Sequence, residues 1–178
     1  MKNDIERILY SEKEIRGKIK ELGGRITKDY AGKDVIFIGI LKGSVMFMSD
    51  LLKEVNIPCR MDFMAVSSYG NSAVTSGVVR ILKDLDFEIR DKDIIIVEDI
   101  IDSGVTLQYL IKYLKARKPR SIEIACLLNK PERRKVEIEV KYLGYDVPDY
   151  FLVGYGLDYA EKYRNLPYIA VLKEEIYK

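Results

Sequence analysis

Three acidic side chains follow one apolar segment near the middle of the chain. Residues 94–97 are all apolar, and Glu98, Asp99 and Asp102 come after them. In open α/β sheets, ligands bind beyond the carboxyl ends of the strands, which is where these side chains would lie. Carboxylate oxygens are ligands that Mg²⁺ prefers, they accept hydrogen bonds from hydroxyl groups, and they can accept a proton. The pattern therefore predicts a site that binds a sugar and a divalent cation.

The four residues after Asp102 are suited to binding phosphate. Gly104 lets a ligand approach the backbone closely, because it has no side chain. The amides at the start of the following helix, together with the hydroxyls of Ser103 and Thr106, would form a phosphate cradle. The alternative is that these residues make only a turn and an N-cap for that helix. The sequence has no P-loop motif, and Tyr159 stands where a dinucleotide-binding fingerprint needs its third glycine.

The composition excludes several kinds of catalytic site and partner. None of the 178 residues is histidine, so a Ser-His-Asp triad, a Cys-His dyad and histidine-ligated zinc or haem are excluded. The 30 Lys and Arg residues against 28 Asp and Glu residues leave a net charge of +2, which gives no electrostatic footprint for nucleic acid or an anionic membrane. Cys59 and Cys126 lack the spacing of a disulfide framework or a metal site. We therefore expect a cytoplasmic protein that binds neither nucleic acid nor a membrane.

Apolar spacing predicts the helices and the first strand that must position these residues. Ser11 and Glu14 have the spacing of a capping box, and the apolar residues after them recur at steps of four, three and four, as on one helix face. Further helices are predicted at residues 45–53 and 106–117. The seven-residue apolar run Val35–Leu41 suits a strand covered on both faces, and it is far shorter than the ~20 residues that span a bilayer.

The remaining strands complete an α/β pattern. We predict them at residues 59–67, 78–82, 94–97, 121–128, 136–142, 151–153 and 169–172. Residues 136–142 alternate between apolar and polar side chains, which is typical of an edge strand. Residues 68–77 are mostly small or polar, which predicts a long loop of the kind that often forms a lid. Strand and helix patterns alternate without repeats or linkers, so we expect one α/β domain with a mainly parallel sheet.

Five segments, in chain order, resemble one protein family. Residues 97–106, VEDIIDSGVT, resemble the signature of the type I phosphoribosyltransferases, which bind phosphoribosyl pyrophosphate. Residues 41–44 are similar to the pyrophosphate loop of that family, and residues 67–70 to its mobile lid. Residues 127–131 and 151–164 are similar to its purine-binding segments. The signature alone indicates the superfamily, whereas the five segments together indicate the members that act on hypoxanthine and guanine.

The resemblance implies a fold, a reaction and an assembly. The fold would be the type I phosphoribosyltransferase fold, an α/β fold in which helices flank a mainly parallel twisted sheet and a small hood covers its C-terminal edge. A single domain, 1–178, would build this hood from its N-terminal segment and roughly residues 129–178. As a purine salvage enzyme, the protein would transfer the 5-phosphoribosyl group from phosphoribosyl pyrophosphate to hypoxanthine or guanine, giving IMP or GMP and pyrophosphate. Mg²⁺ would be the cofactor, and the chain would form a homodimer or homotetramer.

The resemblance also assigns residues to the sugar and phosphate groups. Glu98 and Asp99 would bind the ribose hydroxyls and Mg²⁺. The 5′-phosphate would be bound by Asp102, Ser103, Gly104, Val105 and Thr106. The pyrophosphate would be bound by Lys42, Gly43 and Arg164. A cis peptide bond is expected between Leu41 and Lys42. Considered without the other motifs, Lys42 and Arg164 would be interpreted as surface residues.

A second group of residues is assigned to the purine. Lys130 would donate to the 6-oxo group and so select 6-oxopurines over adenine. Phe151 would stack on the base, and the backbone at Leu152 would contact the base edge. Asp158 would bind the exocyclic amine of guanine or act through water and a second Mg²⁺. A lid would close over the site and exclude water. Its residues would include Ser68 and Tyr69. The alternatives are a solvated basic loop for Lys130 and an ordinary core position for Phe151.

Asp102 matches the general base that accepts the proton of purine N7. An aspartate has a reference pKa of ~3.9, so burial and acidic neighbours would have to raise the pKa of Asp102 for this role. The alternative is that Asp102 only positions the base through a hydrogen bond.

The sequence alone leaves two other functions possible. One is a ligand-sensing regulator that binds RNA or DNA, and the other is a phosphoribosyltransferase that acts on adenine, orotate or uracil. The near-neutral charge disfavours the first. The purine-binding pattern of Lys130 and residues 151–158 disfavours both.

Overall fold

The structure of the protein is a computed structural model that describes residues 1–68 and 79–178. The strands are, in chain order, β1 (Ile5–Tyr10), β2 (Val35–Leu41), β3 (Cys59–Ser68), β4 (Val79–Lys83), β5 (Asp93–Ile101), β6 (Ser121–Asn129), β7 (Tyr142–Asp146), β8 (Leu152–Val153) and β9 (Ile169–Leu172). The α-helices are α1 (Glu12–Asp29), α2 (Val45–Glu54), α3 (Val105–Lys115) and α4 (Glu174–Tyr177), and 3₁₀ turns lie at Lys2–Asp4 and Pro131–Arg133. Among the helices of these two ranges, none is both long enough and apolar enough to cross a membrane.

Six strands form the main sheet, in the order β4-β3-β2-β5-β6-β7. All neighbouring strands are parallel except β3 and β4, so the predicted α/β fold with a mainly parallel sheet is confirmed. Successive residues of a strand face opposite sides of a sheet. In β2, Val35 and Phe37 join the apolar core under α1 and α2, whereas Ile36 and Ile38 join the core under α3. The continuous apolar run of β2 is thus explained by burial on both faces.

The predicted start of α1 is confirmed. The Oγ of Ser11 accepts a hydrogen bond from the backbone N–H of Glu14 at 3.3 Å, and Oε2 of Glu14 accepts one from the N–H of Ser11 at 2.8 Å. These two bonds satisfy amides that the first turn of a helix leaves without partners. The buried positions of the helix are Ile15, Ile19, Leu22, Gly23 and Ile26. The apolar face that the spacing predicts therefore packs on the sheet.

A second, smaller sheet has the antiparallel order β1-β9-β8. The sequence analysis did not predict β1, whose six residues are exposed or half-buried and carry no clear alternation. Pairing with β9, about 160 residues further along the chain, is what makes Ile5–Tyr10 a strand. The division of the chain into one domain with a hood stays a prediction.

The prediction of a strand at residues 136–142 is wrong. The last strand of the main sheet is β7, which begins at Tyr142 and runs parallel to β6. Ile138 and Val140 pack against the core under α3, so their alternation comes from covering that core rather than from strand pairing. Gly144 permits the observed pairing, because a Cβ there would lie 2.3 Å from the carbonyl oxygen of Leu127.

The core under α3 provides a test of this packing. Leu114 is fully buried in that core, and Lys115 beside it is exposed. Leu114→Ala should lower the free energy of unfolding by about 2–5 kcal/mol, because it removes apolar contacts and leaves a cavity. Lys115→Ala, the control on the same helix turn, should change it by less than about 0.5 kcal/mol. Urea unfolding measures both, and equal effects of the two variants would contradict the assignment of this helix face.

Candidate active site

The parallel strands β2, β5 and β6 end at the same edge of the main sheet. Lys42 follows β2, Asp102 follows β5 and Lys130 follows β6. The register pairs Ile101 with Asn129, the last residues of β5 and β6, so these two strands end side by side. The topology therefore gathers side chains from three separate segments at the edge where α/β sheets bind ligands.

Glu98 and Asp99 lie within β5, which continues to Ile101 rather than ending at residue 97 as predicted. Burial, assisted by the negative charge of Asp99, raises the pKa of Glu98 well above its ordinary value. Burial also raises the pKa of Asp99 to about 6, although the backbone N–H of Ile100 donates to its Oδ1 at 2.8 Å and opposes that shift. Both carboxylates are thus incompletely compensated, and a cation or sugar hydroxyls would stabilise them.

The arrangement of these acids fits Mg²⁺ that a substrate helps to hold. Mg²⁺ is usually bound by one or two carboxylates, with water and substrate phosphates completing the shell. Within residues 1–68 and 79–178, no three Asp, Glu or Cys side chains converge as a complete metal site. Asp158, also predicted as a ligand, pairs with Arg164 at 2.8 Å. Glu98 and Asp99 therefore supply the two carboxylates that such a site needs.

A cavity of about 140 Å³ lies at the start of α3. It is lined by Glu98, Ile100, Ile101, Asp102, Ser103, Gly104, Thr106 and Leu107. Gly104 caps the helix with a φ of +82°, a conformation that residues with side chains rarely adopt. The Oγ of Ser103 accepts a hydrogen bond from the N–H of Val105 at 3.4 Å. Because the first-turn amides of a helix lack intrahelical partners, this cavity can bind an anion.

Asp102 lies between this cavity and a larger one. Its side chain is 47% exposed, and its Oδ1 accepts a hydrogen bond from Nε of Arg133 at 2.6 Å. The role of general base would require burial and acidic neighbours to raise the pKa of Asp102, whereas the loop after β6 brings a guanidinium to this carboxylate. One carboxylate oxygen is engaged by Arg133, which leaves the other to face a ligand.

The larger cavity, of about 300 Å³, has the size of a small-molecule site. It is lined by Asp99, Ile100, Asp102, Lys130, Phe151, Leu152, Leu157 and Asp158. All four residues predicted to bind the purine are in this set. The structure thus brings them together with the predicted proton acceptor in one cavity.

Lys130 is buried at this cavity, with 8% of its surface exposed. Its Nζ donates to Oδ1 of Asp149 at 3.1 Å and to the carbonyl oxygen of Tyr150 at 2.7 Å. The ammonium group of Lys130 holds the pKa of Asp149 below its ordinary value, and Arg133 adds to this effect. An ammonium has three donors, so two are used to fix its position and one is left for a ligand.

The Phe151 ring is held by two tyrosine rings. Tyr177 of α4 stacks on it with 4.6 Å between ring centroids, and Tyr159 meets it edge to face at 5.4 Å. Tyr177 does not line the 300 Å³ cavity, whereas Phe151 does. The ring is therefore backed by aromatic side chains and can offer another part of its surface to a flat ligand.

Two of the three predicted pyrophosphate residues, Lys42 and Arg164, are cations. The peptide bond between Leu41 and Lys42 is cis, as predicted. Nζ of Lys42 pairs with Glu161 at 2.8 Å. Arg164 donates through Nη1 to the carbonyl oxygen of Gly156 at 2.8 Å, and through Nη2 it pairs with acidic side chains.

The predicted lid is not described in full. Ser68 is the last residue of β3, and Tyr69 lies outside the described residues. The lid assignment therefore stays a prediction.

Three residues at the site were missed by the sequence analysis: Arg133, Asp149 and Glu161. Arg133 lies 31 residues from its partner Asp102, and Glu161 lies 119 residues from Lys42. Arg133 and Glu161 lie in charged segments, and Asp149 lies between Pro148 and Tyr150, so no local signal distinguishes these three residues from surface residues.

Comparison with known proteins places the chain in a family. The phosphoribosyl transferase domain matches residues 4–160, so the chain belongs to the phosphoribosyltransferases, and its fold is that of the type I enzymes. It is 55% identical over 178 residues to the hypoxanthine-guanine phosphoribosyltransferase of Bacillus subtilis, covering 100% of this chain and 99% of that protein. The corresponding protein of Streptococcus agalactiae is 54% identical over 177 residues, with 99% and 98% covered. A hypoxanthine phosphoribosyltransferase structure from Staphylococcus aureus has a TM-score of 0.97 at 52% identity, covering 100% of this chain and 97% of that chain.

The raised pKa of Asp99 predicts how the stability of the ligand-free protein depends on pH. Because this pKa is about 6 in the folded protein and 3.8 ordinarily, the folded state binds more protons between these values, and the free energy of unfolding falls as pH rises through them. Asp99→Asn should therefore be more stable than the wild type at neutral pH, by about 1–3 kcal/mol, and equal to it near pH 4.

Urea unfolding between pH 4 and 8 measures this difference. Asp91→Asn is the control, because Asp91 is exposed and asparagine tolerates its left-handed backbone (φ +57°). A difference between Asp99→Asn and the wild type that does not change with pH would contradict the prediction.

Proposed function

We propose that the protein transfers the 5-phosphoribosyl group from phosphoribosyl pyrophosphate to hypoxanthine or guanine, giving IMP or GMP and pyrophosphate. The observation that carries this proposal is the single sheet edge at which a helix start able to bind an anion, two half-buried acids and the Lys130 cavity meet. The relatives named as hypoxanthine-guanine phosphoribosyltransferases, at 55% and 54% identity over essentially the whole chain, support the same reaction.

The order of the groups along the site matches the order of the groups in the substrates. The 5′-phosphate would bind residues 102–106 at the start of α3, and the ribose hydroxyls would bind Glu98 and Asp99. The pyrophosphate would meet Lys42, the backbone at Gly43 and Arg164. The purine would enter the 300 Å³ cavity, so that its reacting nitrogen lies next to the sugar. Holding both reactants in one geometry lowers the barrier of a two-substrate reaction.

The carboxylates would also stabilise the reacting sugar. When the bond to pyrophosphate breaks before the new bond is complete, positive charge develops on the ribose ring, as in glycoside hydrolysis. Glu98 and Asp99 lie at the ribose position of this arrangement, and negative charge placed in advance stabilises such a transition state.

We propose that Glu98 and Asp99 hold Mg²⁺, with Asp158 as a further ligand. When bound, the ion supplies positive charge that offsets the charge of the departing pyrophosphate.

Asp102 and Lys130 would contact different groups of the purine. The carboxylate oxygen of Asp102 that Arg133 does not engage accepts the N7 proton, and this step requires the bound purine to weaken the Arg133 contact, because a paired guanidinium disfavours protonation of a carboxylate. The remaining donor of Lys130 binds the 6-oxo group, and Phe151 stacks on the ring. Adenine carries an amine at position 6, so it would leave the third donor of the buried Lys130 ammonium without an acceptor, which disfavours adenine. Leu152 and Asp158 would contact the other edge of the base, and Ser68 and Tyr69 would close over the site.

The remaining properties are proposed with the reaction. We propose that the chain works in the cytoplasm as a homodimer or homotetramer, with small-molecule substrates and without nucleic acid or membrane partners. One domain, 1–178, would carry the whole site. The net charge of +2 supports the absence of a nucleic-acid partner.

The proposal is tested by incubating the protein with phosphoribosyl pyrophosphate and Mg²⁺ and each base in turn, with release of pyrophosphate as the readout. Hypoxanthine and guanine should support turnover, while adenine, orotate and uracil should not. Turnover with neither hypoxanthine nor guanine would overturn the proposed function. Omitting Mg²⁺ should abolish the reaction if Glu98 and Asp99 act as proposed.

Replacing Asp102 tests its role as proton acceptor. Asp102→Asn keeps the size of the side chain and its ability to accept from Arg133, but an amide cannot take up the N7 proton. We expect kcat to fall by about 10²–10⁴-fold, with a much smaller change in KM for phosphoribosyl pyrophosphate. Steady-state kinetics, with Asp91→Asn as the control, measures both. Equal losses in kcat and in nucleotide binding would instead assign Asp102 a binding role.

A further inference from the structure

Glu161 connects the two cations that are proposed to bind pyrophosphate. Its Oε2 lies 2.8 Å from Nζ of Lys42, and its Oε1 lies 3.3 Å from Nη2 of Arg164. Each carboxylate oxygen is thus directed at a different cation. A carboxylate that bridges two cations occupies the position that a larger, more highly charged anion would take between them.

The backbone holds Glu161 in this position through a tight turn. Tyr159 and Lys162 exchange backbone hydrogen bonds of 3.2 and 3.0 Å, and the two residues between them, Ala160 and Glu161, have φ values of +50° and +61°. Two consecutive residues with positive φ between paired residues are typical of a type I′ turn. The N–H of Glu161 also donates to Oδ2 of Asp158 at 3.0 Å. The carboxylate is therefore presented by a defined turn rather than by a free loop.

The ion pair to Lys42 is one that a stronger anion can replace. The side chains of Lys42 and Glu161 are 66% and 65% exposed, and exposed pairs are weak because water screens them. The Lys42 ammonium lowers the pKa of Glu161, with a smaller contribution from Arg164, so the group is a carboxylate at neutral pH. Pyrophosphate carries several negative charges and would interact more strongly with the same two cations.

Arg164 has other contacts that hold it without Glu161. Its Nη2 also pairs with Asp158 at 2.8 Å, and its Nη1 donates to the carbonyl oxygen of Gly156 at 2.8 Å. Removing the charge of Glu161 would therefore leave the guanidinium in place and reduce only the negative charge next to it. At Arg164, Glu161 is therefore not needed to position the cation, and its negative charge competes with that of the ligand.

We propose that Glu161 takes the place of pyrophosphate on Lys42 and Arg164 when the site is empty, and that it weakens pyrophosphate binding and so favours release of this product. The inference rests on the proposed function, because it concerns the product of that reaction. In this role Glu161 is an internal competitor built into the turn at residues 159–162.

Glu161→Gln tests the inference, since it removes the charge and keeps the shape of the side chain. Isothermal titration calorimetry with inorganic pyrophosphate at a fixed excess of Mg²⁺ gives the dissociation constant directly. We expect the variant to bind pyrophosphate about two- to fivefold more tightly than the wild type, the range expected for removing a weak, exposed competing ion pair. Its KM for phosphoribosyl pyrophosphate should fall in the same direction.

The control is Glu88→Gln, which removes one negative charge from an exposed side chain in the connection that leads into β5, at the opposite edge of the sheet. It should leave the dissociation constant unchanged. Glu161→Ala, with far-UV circular dichroism as a check of the fold, should shift binding as Glu161→Gln does. Unchanged or weaker pyrophosphate binding by both Glu161 variants would overturn the inference while leaving the proposed function intact. Failure of the wild type to bind pyrophosphate would overturn the proposed function itself, and the inference with it.

Discussion

A carboxylate oxygen of Asp99 lies where a side chain at position 43 would have to be. A Cβ on Gly43 would come within 1.8 Å of that oxygen, and a Cβ on Gly156 would come within 2.1 Å of the carbonyl oxygen of Gly43. The end of β5, the loop after β2 and the segment after β8 are therefore packed with no room for a side chain between them. This close packing is what allows acids and cations from three distant parts of the chain to share one site, and the rest of the site is arranged around it.

The charges of the site are separated along it. Glu98 and Asp99 bring incompletely compensated negative charge to one part of the site. Their pKa values are raised because burial disfavours the charged carboxylates. Lys42 and Arg164 bring positive charge to the neighbouring part, where Arg164 lowers the pKa of Asp99 and so partly offsets the effect of burial. A substrate with a sugar at one end of its reacting bond and pyrophosphate at the other matches this separation. A chain with a net charge of only +2 thus contains strong local fields of both signs.

Ion pairs within the protein occupy several of the groups that a ligand would contact. Arg133 donates to Asp102 at 2.6 Å, and the two are joined through Asp149 to Lys130. The side chains of Arg133, Asp102 and Asp149 are about half exposed, so these pairs contribute little to folding. Their effect is instead on geometry, because they limit the positions that Asp102 and Lys130, the proposed proton acceptor and the proposed donor to the 6-oxo group, can take before a base arrives.

The amino-acid sequence by itself determined the strand and helix pattern of the main sheet as far as β6, the start of α1 and the five segments from which the family could be identified. These features depend on residues that are neighbours along the chain, so spacing and motif are sufficient to reveal them. The tertiary structure decided that β5 continues to Ile101, that β7 begins only at Tyr142, and that Ile5–Tyr10 is a strand at all. It also decided that Asp102 meets the cation of Arg133 instead of being buried among acids. Each of these outcomes depends on contacts between residues far apart in the chain. A local sequence pattern cannot predict them, because it does not show which distant residues meet or how much their contacts stabilise the fold.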